Sequence, residues 1–224
     1  MGYYINLKSI SIDNYKQILK TTELIPSWKI IGEDIDKNLD IIKEHDINDL
    51  DELLIVLKDK SKIQDFSSLS GLPVKYLEVL KRVVSGYRQK PNRIKDFSCI
   101  SDDIVNRLEK SGPKNTLKLY DKIMTPQKRN EFSKETGISR DEVLKLTKLT
   151  DLSRIRWVNH TFAYVLLESG YDTVEKIAKA DYRELYTTIK QLNEERNIYN
   201  AHIGERDMKM VIESAQSLDF EIEY

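Results

Sequence analysis

Apolar side chains recur every three or four residues along nearly the whole chain, and no other feature of the sequence constrains the fold as strongly. Only eight glycines and five prolines interrupt this spacing. Ser139 with Glu142, and Asp181 with Glu184, have the arrangement of helix-capping boxes. One short stretch, "YYINL" near the N-terminus, has the pattern of a strand. The sequence therefore predicts an all-α fold.

The sequence also repeats itself. A shift of 58 residues places Ser111-Gly112 on Ser169-Gly170, and a shift of 66 residues places Gly71-Leu72 on Gly137-Ile138. Gly112 and Gly170 are expected at equivalent helix ends with positive φ. A small helical unit cannot bury the apolar side chains on both of its faces by itself. About three copies should therefore stack into a compact array and bury these side chains between them. The predicted organisation is an N-terminal extension with a helix at 1–29, copy 1 with a basic linker at 30–93, copy 2 at 94–151, copy 3 at 152–216 and an acidic tail at 217–224.

Charge and cysteine content limit the classes of function. The 36 basic and 37 acidic residues give a net charge of -1, and the isoelectric point is about 6.4. Dedicated nucleic-acid binders are usually more basic, which argues against a large uniform DNA footprint. Cys99 is the single cysteine, so a reducing compartment suits the chain. With no long apolar run, the sequence predicts a cytoplasmic protein without membrane contact.

Catalytic and metal-binding patterns are missing from the sequence. His45, His160 and His202 occur singly, and Cys99 has no evident catalytic histidine beside it in the pattern. No glycine-rich phosphate loop or dinucleotide fingerprint occurs. We therefore expect a protein that is not an enzyme and uses no metal, cofactor or small-molecule substrate.

The stretches "DFSSLSGLPVKYLEVLKR" and "EFSKETGISRDEVLKLTK" resemble helix-hairpin-helix motifs. Residues 30–216 as a whole resemble an uncharacterised tandem helix-hairpin-helix family, which is classed as a domain of unknown function and found widely in bacteria. Copy 3 fits the pattern of that family best. In better-known helix-hairpin-helix proteins, a glycine–apolar–glycine turn and the helix after it hold a DNA phosphate through main-chain N–H groups. The resemblance implies tandem helix-hairpin-helix repeats and contact with a DNA backbone.

The turn of the family falls at five places in this chain: Gly71-Leu72-Pro73, Cys99-Ile100-Ser101, Gly137-Ile138-Ser139, Trp157-Val158-Asn159 and His202-Ile203-Gly204. The apolar middle residue is kept in all five, but both glycines are kept in none. The hairpins can therefore be packing units only, or the two that keep Gly71 and Gly137 can still bind phosphate. Trp157 is expected to pack inside, in the space that a phosphate would take.

A basic stretch follows the Gly71 hairpin. Residues 81–95, "KRVVSGYRQKPNRIK", carry six cations and no acid, and Gly86 and Pro91 mark the stretch as a linker. It can be an ordinary solvated surface, or it can follow a nucleic-acid backbone with Tyr87 stacked on a base. Nine acids between Glu33 and Glu52 form an opposite pole, which equally suits head-to-tail assembly or a charged protein partner.

These observations predict a non-enzymatic DNA-binding module that contacts the duplex backbone without sequence specificity. The alternative is a protein-interaction or assembly scaffold, including self-association, that has lost phosphate binding. The predicted nucleic-acid-binding residues are Gly71, Lys75, Lys81, Arg82, Tyr87, Arg88, Lys90, Arg93, Lys95, Gly137 and Arg140.

Overall fold

The computed structural model describes residues 2–224, which are helices and connecting turns with no strand among them. This confirms the predicted all-α class. The chain divides into two compact units. We call Asn6–Arg88 the N-terminal unit, and residues 2–5 together with Gln89–Tyr224 the C-terminal unit. Within the described residues, no helix combines the length and the apolar character needed to cross a membrane.

The stretch "YYINL", which has the pattern of a strand, does not form one. The Tyr3 ring is buried edge-on against Tyr120, and its hydroxyl lies 2.6 Å from the Thr116 hydroxyl. Leu7 already begins a 3-10 helix, Leu7–Ser9. The apolar side chains of this stretch are thus used as anchors, and residues 2–224 contain no strand with which the stretch could pair.

The N-terminal unit contains the 3-10 helices Leu7–Ser9 and Pro26–Gly32 and the helices α1 (Ile12–Thr21), α2 (Ile35–Glu44), α3 (Leu50–Val56), α4 (Lys60–Ser70) and α5 (Val74–Ser85). The side chains of Ser11, Asp49 and Asp59 accept main-chain N–H groups at the starts of α1, α3 and α4. Such caps satisfy donors that a helix start leaves without partners. Helix α1 packs against α2, and α5 packs against α4, α3 and the second 3-10 helix.

Two acids of the segment between Glu33 and Glu52 pair with lysines of their own unit. Lys20 Nζ lies 2.6 Å from Asp36, and Lys16 forms an ion pair with Asp40. Both lysines belong to α1, which packs on the acidic helix α2. The charge that the sequence suggested for an outside partner is therefore offset in part by these internal pairs.

The C-terminal unit contains the 3-10 helix Ile94–Asp96 and the helices α6 (Asp102–Ser111), α7 (Thr116–Ile123), α8 (Pro126–Thr136), α9 (Arg140–Leu152), α10 (His160–Glu168), α11 (Val174–Ala178), α12 (Tyr182–Arg196) and α13 (Glu205–Gln216). One apolar cluster runs from Ile94 to Leu218. Helix α7 packs against α8 and α9, and α13 packs against α11 and α12. Because this core is continuous, the loops on its surface have a rigid support.

A buried ion pair joins the last residues of the chain to this core. Arg154 Nη1 donates to Asp151 Oδ1 at 2.8 Å, and both side chains are almost fully buried. The Tyr224 hydroxyl and the main-chain N–H of Val174 donate to the other oxygen of Asp151, at 2.9 and 3.0 Å. Arg154 also donates to the Asp219 carbonyl. Buried charges of this kind need such partners, so residues 219–224 are tied to the fold.

The two glycines aligned by the 58-residue shift behave alike. Gly112 has φ 110° and Gly170 has φ 83°, and each lies at the end of a helix. The next helix then starts at a polar cap three residues later, Asn115 in one case and Thr173 in the other. The expected positive φ values at both helix ends are confirmed.

Candidate functional site

Five short turns share an apolar middle residue that is followed by a helix start. They are the turns that the resemblance placed at Leu72, Ile100, Ile138, Val158 and Ile203, and the residue after each of these stands at the N-cap position of a helix. The apolar middle residue is buried in the first four turns and half-buried at Ile203. In each turn, therefore, an apolar anchor fixes the loop while the following helix presents its N-terminus.

The Gly71 and Gly137 turns are nearly superposable in their dihedral angles and hydrogen bonds. Gly71 has φ 74° and Gly137 has φ 68°, a left-handed conformation that glycine adopts without a Cβ clash. In both turns a serine hydroxyl four residues earlier donates at 2.6 Å to the carbonyl just after the glycine, Ser67 to Leu72 and Ser133 to Ile138.

Trp157 takes the same left-handed conformation without being a glycine. Its φ is 69°, and its side chain is 42% exposed. The expectation that Trp157 packs inside is therefore wrong. Val158 is the buried anchor of this turn, and the Trp157 ring instead lies over the Arg156 guanidinium, 4.4 Å from it. A left-handed non-glycine residue costs roughly 1–2 kcal/mol, so the rest of the turn must hold Trp157 in place.

Two side-chain amides supply that support. Gln89 accepts the main-chain N–H of Trp157 and donates to the Val158 carbonyl at 2.7 Å. Asn92 donates to the same carbonyl at 3.2 Å and to the Ser153 hydroxyl at 2.9 Å. These bonds fix the main chain on both sides of Trp157, so its ring has a defined position at the surface.

An open groove of about 580 Å³ lies beside this ring, and we call it the Trp157 groove. It is lined by Gln89, Lys90, Pro91, Asn92, Arg93, Asp96, Trp157 and Asn159. Lys90 and Arg93 are exposed, and across residues 2–224 neither side chain forms an ion pair or a hydrogen bond. Asp96 is the one acid among the described residues of the lining. The groove therefore places two cations that have no ion-pair partner within residues 2–224 beside an aromatic ring.

The other cations of the basic stretch do not line the Trp157 groove. Lys81 and Arg82 belong to the last turns of α5, so residues 81–95 are not one exposed loop. Lys81 donates to the Lys58 carbonyl at 2.6 Å, and Arg88 forms an ion pair with Asp51. Lys81, Arg82 and Arg88 belong to the N-terminal unit, as does Tyr87, whose half-buried ring lies edge-on to Tyr15.

The hairpin residues predicted to contact nucleic acid are also divided between the units. Gly71 and Lys75 belong to the N-terminal unit, and both are exposed. Gly137, Arg140 and Lys95 belong to the C-terminal unit and are exposed, but none of them lines the Trp157 groove. Of the predicted residues, Lys90 and Arg93 are the two that the structure brings together in this groove.

The Gly71 and Gly137 turns differ in their free space. No atom lies within 4 Å of the position that a Cβ would take on Gly71. At Gly137, the Arg107 guanidinium lies 3.0 Å from that position and donates to the Gly137 carbonyl. The Gly71 turn is thus open to a close approach, whereas Arg107 already occupies the surface of the Gly137 turn.

Sequence reasoning missed Gln89, Asn92, Asp96 and Asn159 as parts of this site. Asn159 has a local signal, since an asparagine before an apolar helical run is a preferred helix cap. Gln89 and Asn92 have no such signal, because they act on a turn more than 60 residues away in the chain. Their role depends on tertiary contact alone.

A second cavity, of about 360 Å³, shares Asn159 with the groove, and we call it the Tyr199 cavity. Its lining consists of Asn159, Thr161, Phe162, Ile198, Tyr199, Asn200, Ala201 and Ile203. Asn193 fixes the loop that carries Tyr199: its Oδ1 accepts the N–H groups of Ile198 and Tyr199, and its Nδ2 donates to the Tyr199 carbonyl.

Comparison with known proteins identifies the family. A family model described as "Domain of unknown function (DUF4332)" matches residues 98–218. No curated protein and no solved structure matches the chain. The matched region covers more than half of the 224 residues and includes the Trp157 turn and the Tyr199 cavity. The chain therefore belongs to the DUF4332 family.

Proposed function

We propose that this protein is a non-enzymatic module that binds nucleic-acid backbone without sequence specificity, and that the Trp157 groove is its binding site. The observation that carries the proposal is the groove itself. It combines Lys90 and Arg93, which have no partner among residues 2–224, with a Trp157 ring held at the surface in a left-handed turn. Cations that follow a backbone, with an aromatic ring beside them, are the usual parts of such a site.

Lys90 and Arg93 supply the electrostatic contact. Both are exposed, so a phosphate can reach them without displacing an internal ion pair. The Trp157–Val158–Asn159 turn leads directly into α10, whose N-terminus adds a favourable field for an anion. With so few cations, we expect weak binding, with a Kd of about 10⁻⁴–10⁻⁶ M at physiological salt.

Trp157 supplies the second contact. A large apolar side chain with positive φ is strained, and strain of this kind is concentrated at functional sites. The ring is 42% exposed and lines the groove, so a base or a sugar can lie against its exposed part. Stacking on an aromatic side chain contributes about 1–3 kcal/mol per base, and it does so for every base.

The five turns support a tandem helix-hairpin-helix arrangement as the framework of this site. Each turn has an apolar anchor followed by a helix cap, and three of the five begin with a left-handed residue: Gly71, Gly137 and Trp157. The binding turn in this proposal is Trp157-Val158-Asn159, which has no glycine, and not the Gly71 and Gly137 turns, which keep one. The single cysteine, Cys99, supports a place in the reducing cytoplasm.

Trp157 fluorescence tests the proposal. The chain has two tryptophans, and Trp28→Phe leaves Trp157 as the single reporter. We expect random-sequence oligonucleotides at about 50 mM salt to quench its emission in a saturable way, because the bases stack on the ring. The matched control is Trp157→Phe, in which Trp28 should report no change. Unchanged Trp157 emission together with no binding in a separation assay would remove the proposal.

An assembly scaffold is the second candidate, and two features of the N-terminal unit favour it. Ile55 is 58% exposed and Leu69 is 68% exposed, although both are large apolar residues. In addition, Asp51 pairs with Arg88, so the charge of this arginine is offset and attracts a phosphate less strongly. Sedimentation of wild type and an Ile55→Glu, Leu69→Glu variant decides this: a scaffold that self-associates through these residues should lose its higher-mass species.

A further inference from the structure

We infer that the nucleic acid bound at the Trp157 groove is a single strand, and that one of its unpaired bases occupies the Tyr199 cavity. This inference rests on the proposed function and names the form of its ligand. The groove and the cavity share Asn159, so a strand whose phosphates lie at Lys90 and Arg93 can place a neighbouring base in the cavity.

The groove and the cavity differ in chemistry. The groove suits a charged phosphate, and the cavity suits an uncharged base. The groove is lined by charged side chains, Lys90, Arg93 and Asp96. The Tyr199 cavity has no charged side chain among its described lining residues. Its walls are aromatic and aliphatic, with polar groups from Asn159, Asn200 and Thr161. Single-stranded nucleic acids are recognised in this way, by stacking on rings and hydrogen bonds to base edges.

The rings at the cavity are available for stacking. Phe162 and Tyr199 are each half-buried, so part of each ring is supported by the core and part faces the cavity. The Asn159 side chain caps α10 through its Oδ1, which accepts the Phe162 N–H at 2.9 Å. Its amide Nδ2 is not used in that cap and can donate to a base acceptor.

The loop that lines the cavity is held in place by hydrogen bonds. Asn193 holds the main chain of Ile198 and Tyr199 with three hydrogen bonds of 2.8–3.0 Å. Asn197 has φ 48° and ends α12, so the loop turns back toward α10 from a fixed point. A loop that hydrogen bonds already hold in place costs less free energy to order when a ligand binds.

A duplex cannot place a base in the Tyr199 cavity as readily as a single strand can. Paired bases are stacked inside the helix and show only their edges in the grooves. A base must leave the stack before its ring can enter a cavity, and in a duplex this costs a few kcal/mol. The combination of an exposed Trp157 ring and an uncharged cavity next to it therefore favours strands whose bases are already unpaired.

Three probes test the inference on the full-length protein at about 50 mM salt: a 12-nucleotide single-stranded DNA of mixed sequence, the same strand with every base removed, and its duplex. We expect the single strand to bind about tenfold or more tightly than the other two probes, because they offer no free base. Equal affinity for the three probes overturns the inference but leaves backbone binding in place. No binding of any probe overturns both.

Variants of the cavity separate base binding from backbone binding. Tyr199→Ala and Asn200→Ala should lower the affinity for the single strand toward that of the abasic strand, without changing abasic binding. Tyr199→Phe keeps the ring and should bind like wild type. Asn200 is exposed, so its substitution tests the cavity even where loss of the Tyr199 ring lowers stability. Unchanged single-strand affinity in Asn200→Ala and Tyr199→Ala overturns the assignment of the base to this cavity.

Discussion

The side chain of Gln89 accepts the main-chain N–H of Trp157, the residue whose ring lines the groove. The same amide donates to the Val158 carbonyl at 2.7 Å. One side chain thus satisfies two main-chain groups of the turn and holds a left-handed tryptophan at the surface. The position of the candidate site therefore depends on a residue that need not touch the ligand.

Loss of Gln89 should weaken both the fold and the groove. In Gln89→Ala, the Trp157 N–H and the Val158 carbonyl lose a partner, and we expect the free energy of unfolding to fall by about 1–3 kcal/mol. Urea unfolding measures the change. Gln127→Ala removes an exposed glutamine that bonds only within α8, and it should have almost no effect. Equal stability of Gln89→Ala and wild type would contradict the role of Gln89.

Trp157→Gly should be more stable than Trp157→Ala by roughly 1 kcal/mol. Both variants lose the ring and its contact with Arg156, but only glycine relieves the left-handed strain at φ 69°. Both should lose affinity for nucleic acid, by about 1–3 kcal/mol where a base stacks on the ring. Thermal melts and binding assays on the two variants make the comparison. An alanine variant as stable as the glycine variant would mean that the turn is not strained.

Asp172 should make stability depend on acid pH. Burial raises the pKa of Asp172, but hydrogen bonds from Lys148 at 2.5 Å and Lys176 at 2.7 Å outweigh it and hold the pKa below its ordinary value. A lowered folded-state pKa stabilises the fold above the unfolded-state pKa of about 3.9, and this stabilisation is lost as the pH falls through the folded-state pKa.

Urea unfolding at pH 6 and at about pH 3 checks this dependence. Wild type should lose more free energy of unfolding between the two values than Asp172→Asn, which cannot titrate at this position. Asp141→Asn is the control, since Asp141 is exposed and has no ion pair within residues 2–224. A parallel loss in wild type and Asp172→Asn would show that the two lysine contacts do not affect acid stability.

Asp96→Asn should increase the affinity for nucleic acid. Asp96 lines the groove and repels a phosphate that Lys90 and Arg93 attract. Removal of an exposed charge changes such contacts by about 0.2–1 kcal/mol, so the affinity should rise by up to about fivefold. Asp121→Asn removes an exposed acid outside the groove and should leave the affinity unchanged. Weaker binding by Asp96→Asn than by Asp121→Asn would contradict a phosphate position in this groove.

The helical framework could be predicted because its signals are local. The capping pairs at Ser139 and Asp181 begin helices as the sequence indicated, since each side chain accepts an N–H two or three residues ahead. A helix also starts after each of the five turns that the resemblance placed in the chain, and an apolar residue followed by a helix start is a short-range pattern. Local propensity and tertiary structure agree at these places.

The groove could not be predicted because it depends on contacts between distant residues. A tryptophan in a helical hairpin suggests burial, but Gln89, 68 residues earlier in the chain, fixes Trp157 in a conformation that leaves its ring at the surface. The basic stretch is continuous in sequence, yet the boundary between the two compact units falls within it, between Arg88 and Gln89. Adjacency in sequence does not show which of its cations line the groove.

A salt titration of binding tests the central claim most directly. It compares wild type with Lys90→Glu, Arg93→Glu and with a control of equal charge change, Lys95→Glu, Lys114→Glu, whose exposed lysines lie outside the groove. For wild type we predict a log-linear fall in affinity with salt, with a slope of about −1.4 on single strands for two phosphate contacts. The groove variant should lose binding and the control should keep it. Equal loss in both variants, or no binding by wild type at about 50 mM salt, would contradict the account.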